Sequence, residues 1–114
     1  MTRPPQEIFA HHASALMAGD VDGIVADYAA DAVLITPAGA VRGRDGVRKA
    51  FEGILTDLPE ASWDVPTQVF EDDVLFIEWS AVAKASRVTD GVDTFAFAGD
   101  AIRVQTVGTL EQTS

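Results

Sequence analysis

Asp93 shares a strand face with two phenylalanines. In the run Gly91-Val92-Asp93-Thr94-Phe95-Ala96-Phe97-Ala98, two-residue alternation places its carboxylate beside Phe95 and Phe97. If that face lines an enclosed cavity, loss of water raises the carboxyl pKa, and an acid that keeps its proton near neutral pH can donate a proton or a hydrogen bond. If the face is open to solvent, Asp93 is an ordinary surface aspartate.

The histidines, His11 and His12, are neighbours on a helix and lie about 100° apart around its axis, so they cannot chelate one metal together and no metal site is expected. His12 follows Ile8 by one turn and precedes Ala15 and Leu16, which turns it inward, whereas His11 points toward solvent. An inward histidine is either a hydrogen-bonded core residue or a group that orients and polarises a ligand. Tyr28, on the inner stripe of the next helix, needs a partner for its hydroxyl; His12 or Asp93 could supply one, or the ring is plain core packing. Trp63 and Trp79 offer apolar walls with one donor each. Of Gln105 and Thr106, alternation with Ile102 and Val104 selects Thr106 as the inward residue.

Composition removes several chemistries. There is no cysteine, hence no disulfide, thiol nucleophile or thiolate metal site. Eighteen acidic against eight basic residues leave a formal charge of −10, which repels phosphate backbones and anionic lipid, so neither nucleic acid nor membrane is expected as a partner. The basic cluster Arg42-Gly43-Arg44 with Arg48-Lys49 reads as a solvated counterweight to the acidic surface. No Gly-rich phosphate loop and no serine in a nucleophile-elbow setting occur. Acid/base chemistry or ligand binding remains, and both need a cavity.

The elements that must build that cavity fill one domain, residues 1–114. Pro4 and Pro5 open a helix on which Ile8, Phe9, Leu16 and Met17 recur, ending at Gly19. Asp20 caps a second helix with Ile24, Val25, Tyr28, Ala29 and Ala32 inward, and Ala32 to Thr36 forms a short strand. Pro37-Ala38-Gly39 turns into a brief strand at Val41-Arg42. Asp45 then caps a third helix, with Val47, Ala50, Phe51, Ile54 and Leu55 inward, and Pro59 stops it. From Ser62 the period becomes two, and three long strands follow with turns at Asp72-Asp73, Asp90-Gly91 and Gly99-Asp100. Helices first and an antiparallel meander afterwards predict an α+β domain with three helices on one face of a curved sheet. On the strand Val74 to Lys84, the face with Leu75, Ile77, Trp79, Ala81 and Ala83 is the interior. The opposite, mixed face is a candidate surface for dimerisation.

The segment Leu16-Met17-Ala18-Gly19-Asp20-Val21-Asp22-Gly23-Ile24-Val25 followed by Tyr28-Ala29-Ala30-Asp31-Ala32-Val33 resembles the nuclear transport factor 2-like superfamily. So does the later order, Arg42-Gly43-Arg44-Asp45-Gly46-Val47 and then Val92-Asp93-Thr94-Phe95-Ala96-Phe97-Ala98-Gly99-Asp100-Ala101-Ile102. The resemblance implies a cone-shaped, cystatin-like fold with a pocket between helices and sheet, and homodimers. Within the superfamily the chain is similar to ketosteroid isomerase and the SnoaL-like polyketide cyclases. In ketosteroid isomerase an aspartate base works beside a tyrosine and a protonated aspartate. Asp93 matches the protonated aspartate and His12 falls where the tyrosine would be, while Thr36 stands in place of the base, and a threonine hydroxyl is far too weak a base for that role. In SnoaL-like cyclases the acid/base aspartate occupies the late strand, as Asp93 does. The resemblance therefore implies catalysis by Asp93 and His12 without a cofactor, on a small hydrophobic carbonyl compound. The reaction would be of isomerase, cyclase or dehydratase type, in a pocket formed by Tyr28, Thr36, Phe51, Trp63, Trp79, Phe95, Phe97 and Thr106. The alternative is a non-catalytic binding or accessory domain of the same fold. With aspartates interrupting every long apolar stretch, and a first helix that carries Glu7, His11 and His12 instead of a signal-peptide core, a soluble cytoplasmic protein is expected.

Overall fold

The computed structural model describes residues 3–109. Helix α1 spans Pro5–Ala18; it starts on a proline, whose missing N–H is no loss in the first turn, and ends on Gly19 in the left-handed region (φ 68°), whose N–H closes the last turn on Leu16. Asp20 caps α2 (Val21–Ala26) by accepting from the Gly23 N–H at 3.0 Å. This helix stops one residue before Asp27, earlier than its apolar stripe predicts, so Tyr28 opens strand β1 (Tyr28–Thr36) instead of riding on a helix. A turn leads to β2 (Gly39–Arg42) and then α3 (Gly43–Asp57), capped at Arg42, with Asp45 within the first turn instead of at the cap.

Four strands complete the chain: β3 (Ser62–Glu71), β4 (Val74–Val82), β5 (Arg87–Ala98) and β6 (Ala101–Thr109). The expected turns at Asp72-Asp73 and Gly99-Asp100 form, but β5 runs straight through Asp90-Gly91, and the chain reverses instead between Val82 and Arg87. A single sheet in the order β2-β1-β6-β5-β4-β3 results, antiparallel throughout except for the β1–β6 pair. Its inner face meets the three helices in one core that joins Ile8 and Phe9 of α1, Ile24 of α2, Val47 and Phe51 of α3, and Leu34, Leu75 and Phe95 of the sheet. The face of β4 carrying Leu75, Ile77 and Ala81 is buried, as alternation predicts, and the opposite face leaves Val74, Phe76 and Val82 exposed. No helix among the described residues is long and apolar enough to cross a membrane.

One irregularity positions the site. Along the β5–β6 hairpin Ala96 pairs with Val104 but Phe97 pairs with Ile102, so β6 carries one residue more than its partner at this point. The extra residue reverses the facing of everything beyond it.

Candidate functional site

Asp93 lies on the inner face of β5 and is 6% exposed. The residues directly opposite it are Ile77 on β4 and Val107 on β6, and its diagonal neighbours on those strands, Trp79 and Gln105, close on the carboxylate from both sides. Trp79 Nε1 donates to Oδ1 at 2.8 Å and Gln105 Nε2 donates to Oδ2 at 2.9 Å. Gln105 in turn accepts a hydrogen bond from the Tyr28 hydroxyl through Oε1. The amide orientation is fixed by these two partners, since the carboxylate can only accept and so must face the amide nitrogen, which leaves the amide oxygen to the Tyr28 hydroxyl. Burial pushes the Asp93 carboxyl up to about 6, against the opposing pull of the Trp79 and Gln105 hydrogen bonds. Burial, with the Asp93 and Asp27 charges adding to it, also raises the Tyr28 phenol well above its ordinary value, so Tyr28 remains a donor.

Asp93 faces a cavity of about 160 Å³ between the helices and the sheet. Its walls are Phe9 and Leu16 of α1, Phe51 and Ile54 of α3, and Trp63, Trp79 and Phe95 of the sheet. The two indoles lie 5.7 Å apart between centroids and form one side. Polar groups are few: Asp93, Gln105 and His12 inside, and Asp57 where exposed Met17 and the end of α3 open the cavity to solvent.

His12 is 3% exposed and boxed by four rings, Phe9, Tyr28, Phe51 and Phe95, with centroids 5.5–6.1 Å away. Its Nδ1 is buried without a hydrogen-bond partner among the described residues. Burial lowers its pKa to about 4, although the Asp27 charge pulls the other way, so at neutral pH the imidazole is uncharged. His12 and Asp93 share the cavity without a hydrogen bond to each other; the residue that bonds Asp93 is Gln105. An uncharged imidazole donates one hydrogen bond to an oxygen, and a carboxylate poised near pH 6 accepts and returns a proton.

The remaining sequence-predicted residues divide. Phe51, Trp63, Trp79 and Phe95 line the cavity. Tyr28 stands behind Gln105, and Phe97 stacks on Phe95 with centroids 6.2 Å apart, away from the lining. Thr36 is the last residue of β1, where its Oγ1 accepts from the Ala38 N–H at 3.1 Å, and it is not part of the cavity lining. Thr106 is corrected to Gln105: the extra residue in β6 turns Gln105 inward, and the Thr106 hydroxyl accepts from the Thr94 N–H on the other face. The basic cluster is partly structural, with Arg44 Nε donating to the Tyr28 carbonyl at 2.9 Å and Arg48 pairing with Asp22 at 2.8 Å.

Asp27 escaped the sequence reading altogether. It is 1% exposed and is held by Arg3 Nη1 at 3.0 Å and by His11 Nδ1 at 2.6 Å, so the ring of His11, though half-exposed, is turned to the protein by its nitrogen. The only signal was an acidic residue between an apolar helix and an apolar strand. Among the described residues no three metal-binding side chains come together.

A family model for the SnoaL-like domain matches residues 9–105. No curated protein matches the chain. Among solved structures, a candidate ketosteroid isomerase from Kribbella flavida DSM 17836 superposes with a TM-score of 0.80 at 12% identity, over 96% of this chain and 80% of that one. A cystatin-fold protein from Novosphingobium aromaticivorans gives 0.79 at 17% identity, over 92% and 97%. AclR, a candidate hydroxylase from Streptomyces galilaeus, gives 0.75 at 16% identity, over 90% and 86%. At these identities the likeness is one of fold.

Proposed function

Since this chain belongs to the SnoaL-like domain family, in the nuclear transport factor 2-like superfamily with its cystatin-like fold, we propose that it is a cofactor-independent acid/base enzyme acting on a small hydrophobic carbonyl compound. The observation that carries this reading is Asp93, a carboxyl group clamped by Trp79 and Gln105 on the wall of an apolar cavity, with its pKa raised to about 6 by burial. At pH 7 it is mostly ionised and close to the proton affinity that serves a general base best.

In this mechanism the Asp93 carboxylate takes a proton from carbon next to the substrate carbonyl. The neutral His12 imidazole donates a hydrogen bond to the carbonyl oxygen as it gains negative charge, which is where a fixed donor in a dry site helps most. Trp79 and Gln105 hold the carboxylate in place, and Asp93 then returns its proton to a different carbon (isomerase), to the oxygen of a second carbonyl whose carbon the carbanion has attacked (cyclase), or to a departing hydroxyl (dehydratase). With Thr36 outside the cavity lining and Asp57 at its exposed rim, Asp93 is the interior carboxylate to which this reading gives the role of base. The exposed Val74 and Phe76, with Val69 beside them on β3, support a homodimer through the sheet, and the acidic surface supports a soluble, cytoplasmic protein.

Both Asp93 oxygens already accept protein hydrogen bonds, which favours a second reading in which the cavity only binds its ligand. Hydrogen–deuterium exchange of cyclohex-2-enone in D2O, followed by NMR, separates the two. Catalysis predicts that Asp93→Asn slows enzyme-dependent exchange about a hundredfold or more while binding changes little; exchange that continues unchanged in the variant leaves the binding reading.

A further inference from the structure

The cavity limits what the proposed enzyme can accept. Its volume of about 160 Å³ is close to the about 150 Å³ of an engineered protein cavity that takes one benzene. Two rigid aromatic pairs bound it, Trp63 with Trp79 and His12 with Phe51, and these are anchored in the sheet and the core, not carried on loops. A fused polycyclic ligand would have to extend out of it past Leu16, Met17, Leu58 and Trp63 into an adjoining, more polar hollow bordered by Gly19 and Glu60, where its apolar surface gains little.

Charge limits the ligand as well. The interior holds Asp93 and offers no cationic side chain, since His12 is neutral at pH 7. At the mouth stands Asp57, which among the described residues forms no ion pair within 4.0 Å. Its backbone carbonyl accepts from Ser86 Oγ at 2.7 Å, which ties down the end of α3 at the rim of the cavity. An anion entering past Asp57 toward Asp93 meets two like charges and no compensating one.

Resting on the acid/base reading of the same site, we propose that the ligand is an uncharged, single-ring carbonyl compound, seated with its carbonyl edge toward His12, and that Asp57 rejects anionic ligands at the mouth. The His12 ring and the clamped Asp93, with Gln105 beside it, are the polar features of the lining that such a ring would meet. Hydrophobic walls supply the affinity, and the two carboxylates supply the discrimination.

Binding to the intact chain, measured by NMR titration at pH 7, tests this without requiring turnover. Cyclohex-2-enone should bind at least tenfold more tightly than cyclohex-1-ene carboxylate, which has the same ring and a negative charge, and more tightly than a decalone or a tetracyclic steroid ketone. Asp57→Asn should narrow the enone-to-carboxylate ratio about three- to tenfold. Glu71→Gln, a neutralisation at the far end of β3 from Trp63, should leave the ratio unchanged, and both sites are exposed enough for the variants to fold. Tighter binding of the steroid than of the enone overturns the size limit. A ratio unmoved by Asp57→Asn, or moved equally by Glu71→Gln, overturns the role of Asp57. Neither result touches the exchange experiment with Asp93→Asn, so this inference and the catalytic reading fail separately.

Discussion

Trp79 and Gly91 face each other across β4 and β5, and the indole occupies the space where a side chain at Gly91 would begin. A Cβ built there would lie 2.1 Å from Trp79 Cε2 and 2.3 Å from Cδ2. The close approach lets the indole lie across the strand and reach Asp93, one diagonal step away, with its N–H. Gly91→Ala should therefore displace a rigid ring, destabilise the fold by about 1–3 kcal/mol and loosen the carboxylate. Urea unfolding gives the energy, and tryptophan emission of the folded variant reports the ring. A variant with unchanged stability and emission would show that Trp79 has other room.

Gln105 links Tyr28 to Asp93, so removing it should leave a buried phenol without an acceptor. Gln105→Leu is expected to lose roughly 1–3 kcal/mol, and adding Tyr28→Phe should recover part of that loss, because the orphaned hydroxyl is then gone. Strict additivity of the two substitutions would contradict the link. In Gln105→Leu the Asp93 carboxyl, with one donor fewer, should titrate higher than in the native protein, as read by carbon NMR of the side chain.

Stability should depend on pH through two opposed groups. Asp93 titrates at about 6 in the folded protein against 3.8 for an ordinary aspartate, so between these values the folded state holds a proton that the unfolded state has released, and stability falls as pH rises through that window. His12 titrates at about 4 against 6.5, so the unfolded state holds the extra proton and stability rises with pH over nearly the same range. Each contribution is roughly 3 kcal/mol and the two largely cancel. Denaturation at pH 4 to 6.5 should show the native protein losing stability relative to Asp93→Asn and gaining it relative to His12→Leu as pH rises. The same sign for both differences would refute the assignment.

The buried carboxylate of Asp27 depends on Arg3 and His11 for its compensation. Replacing both by alanine should cost about 3 kcal/mol, more than the sum of two surface contacts, because the charge is left stranded. Thermal unfolding at neutral pH checks it; a loss under about 0.5 kcal/mol would mean that water reaches Asp27.

Local sequence determined much of this protein. Proline at the start of α1, Gly19 at its end and Asp20 at the head of α2 act on their own turns, and the inward facing of His12, Asp93, Phe95 and Trp79 follows from periodicity within one uninterrupted element. The limits of α2, the passage of β5 through Asp90-Gly91, and the choice of Gln105 over Thr106 were decided by tertiary structure. Asp27 leaves the helix to meet Arg3 and His11, which approach from α1 and the residues before it. Gly91, a turn residue by its type, is held in a strand because Trp79 needs its empty side. Counting by twos along β6 fails where the hairpin admits an extra residue, and that residue is placed by pairing with β5 on one side and β1 on the other. Alternation is a property of a strand, but where it breaks is a property of the sheet, which is why the sequence by itself named the carboxylate and only the folded chain could name the amide that holds it.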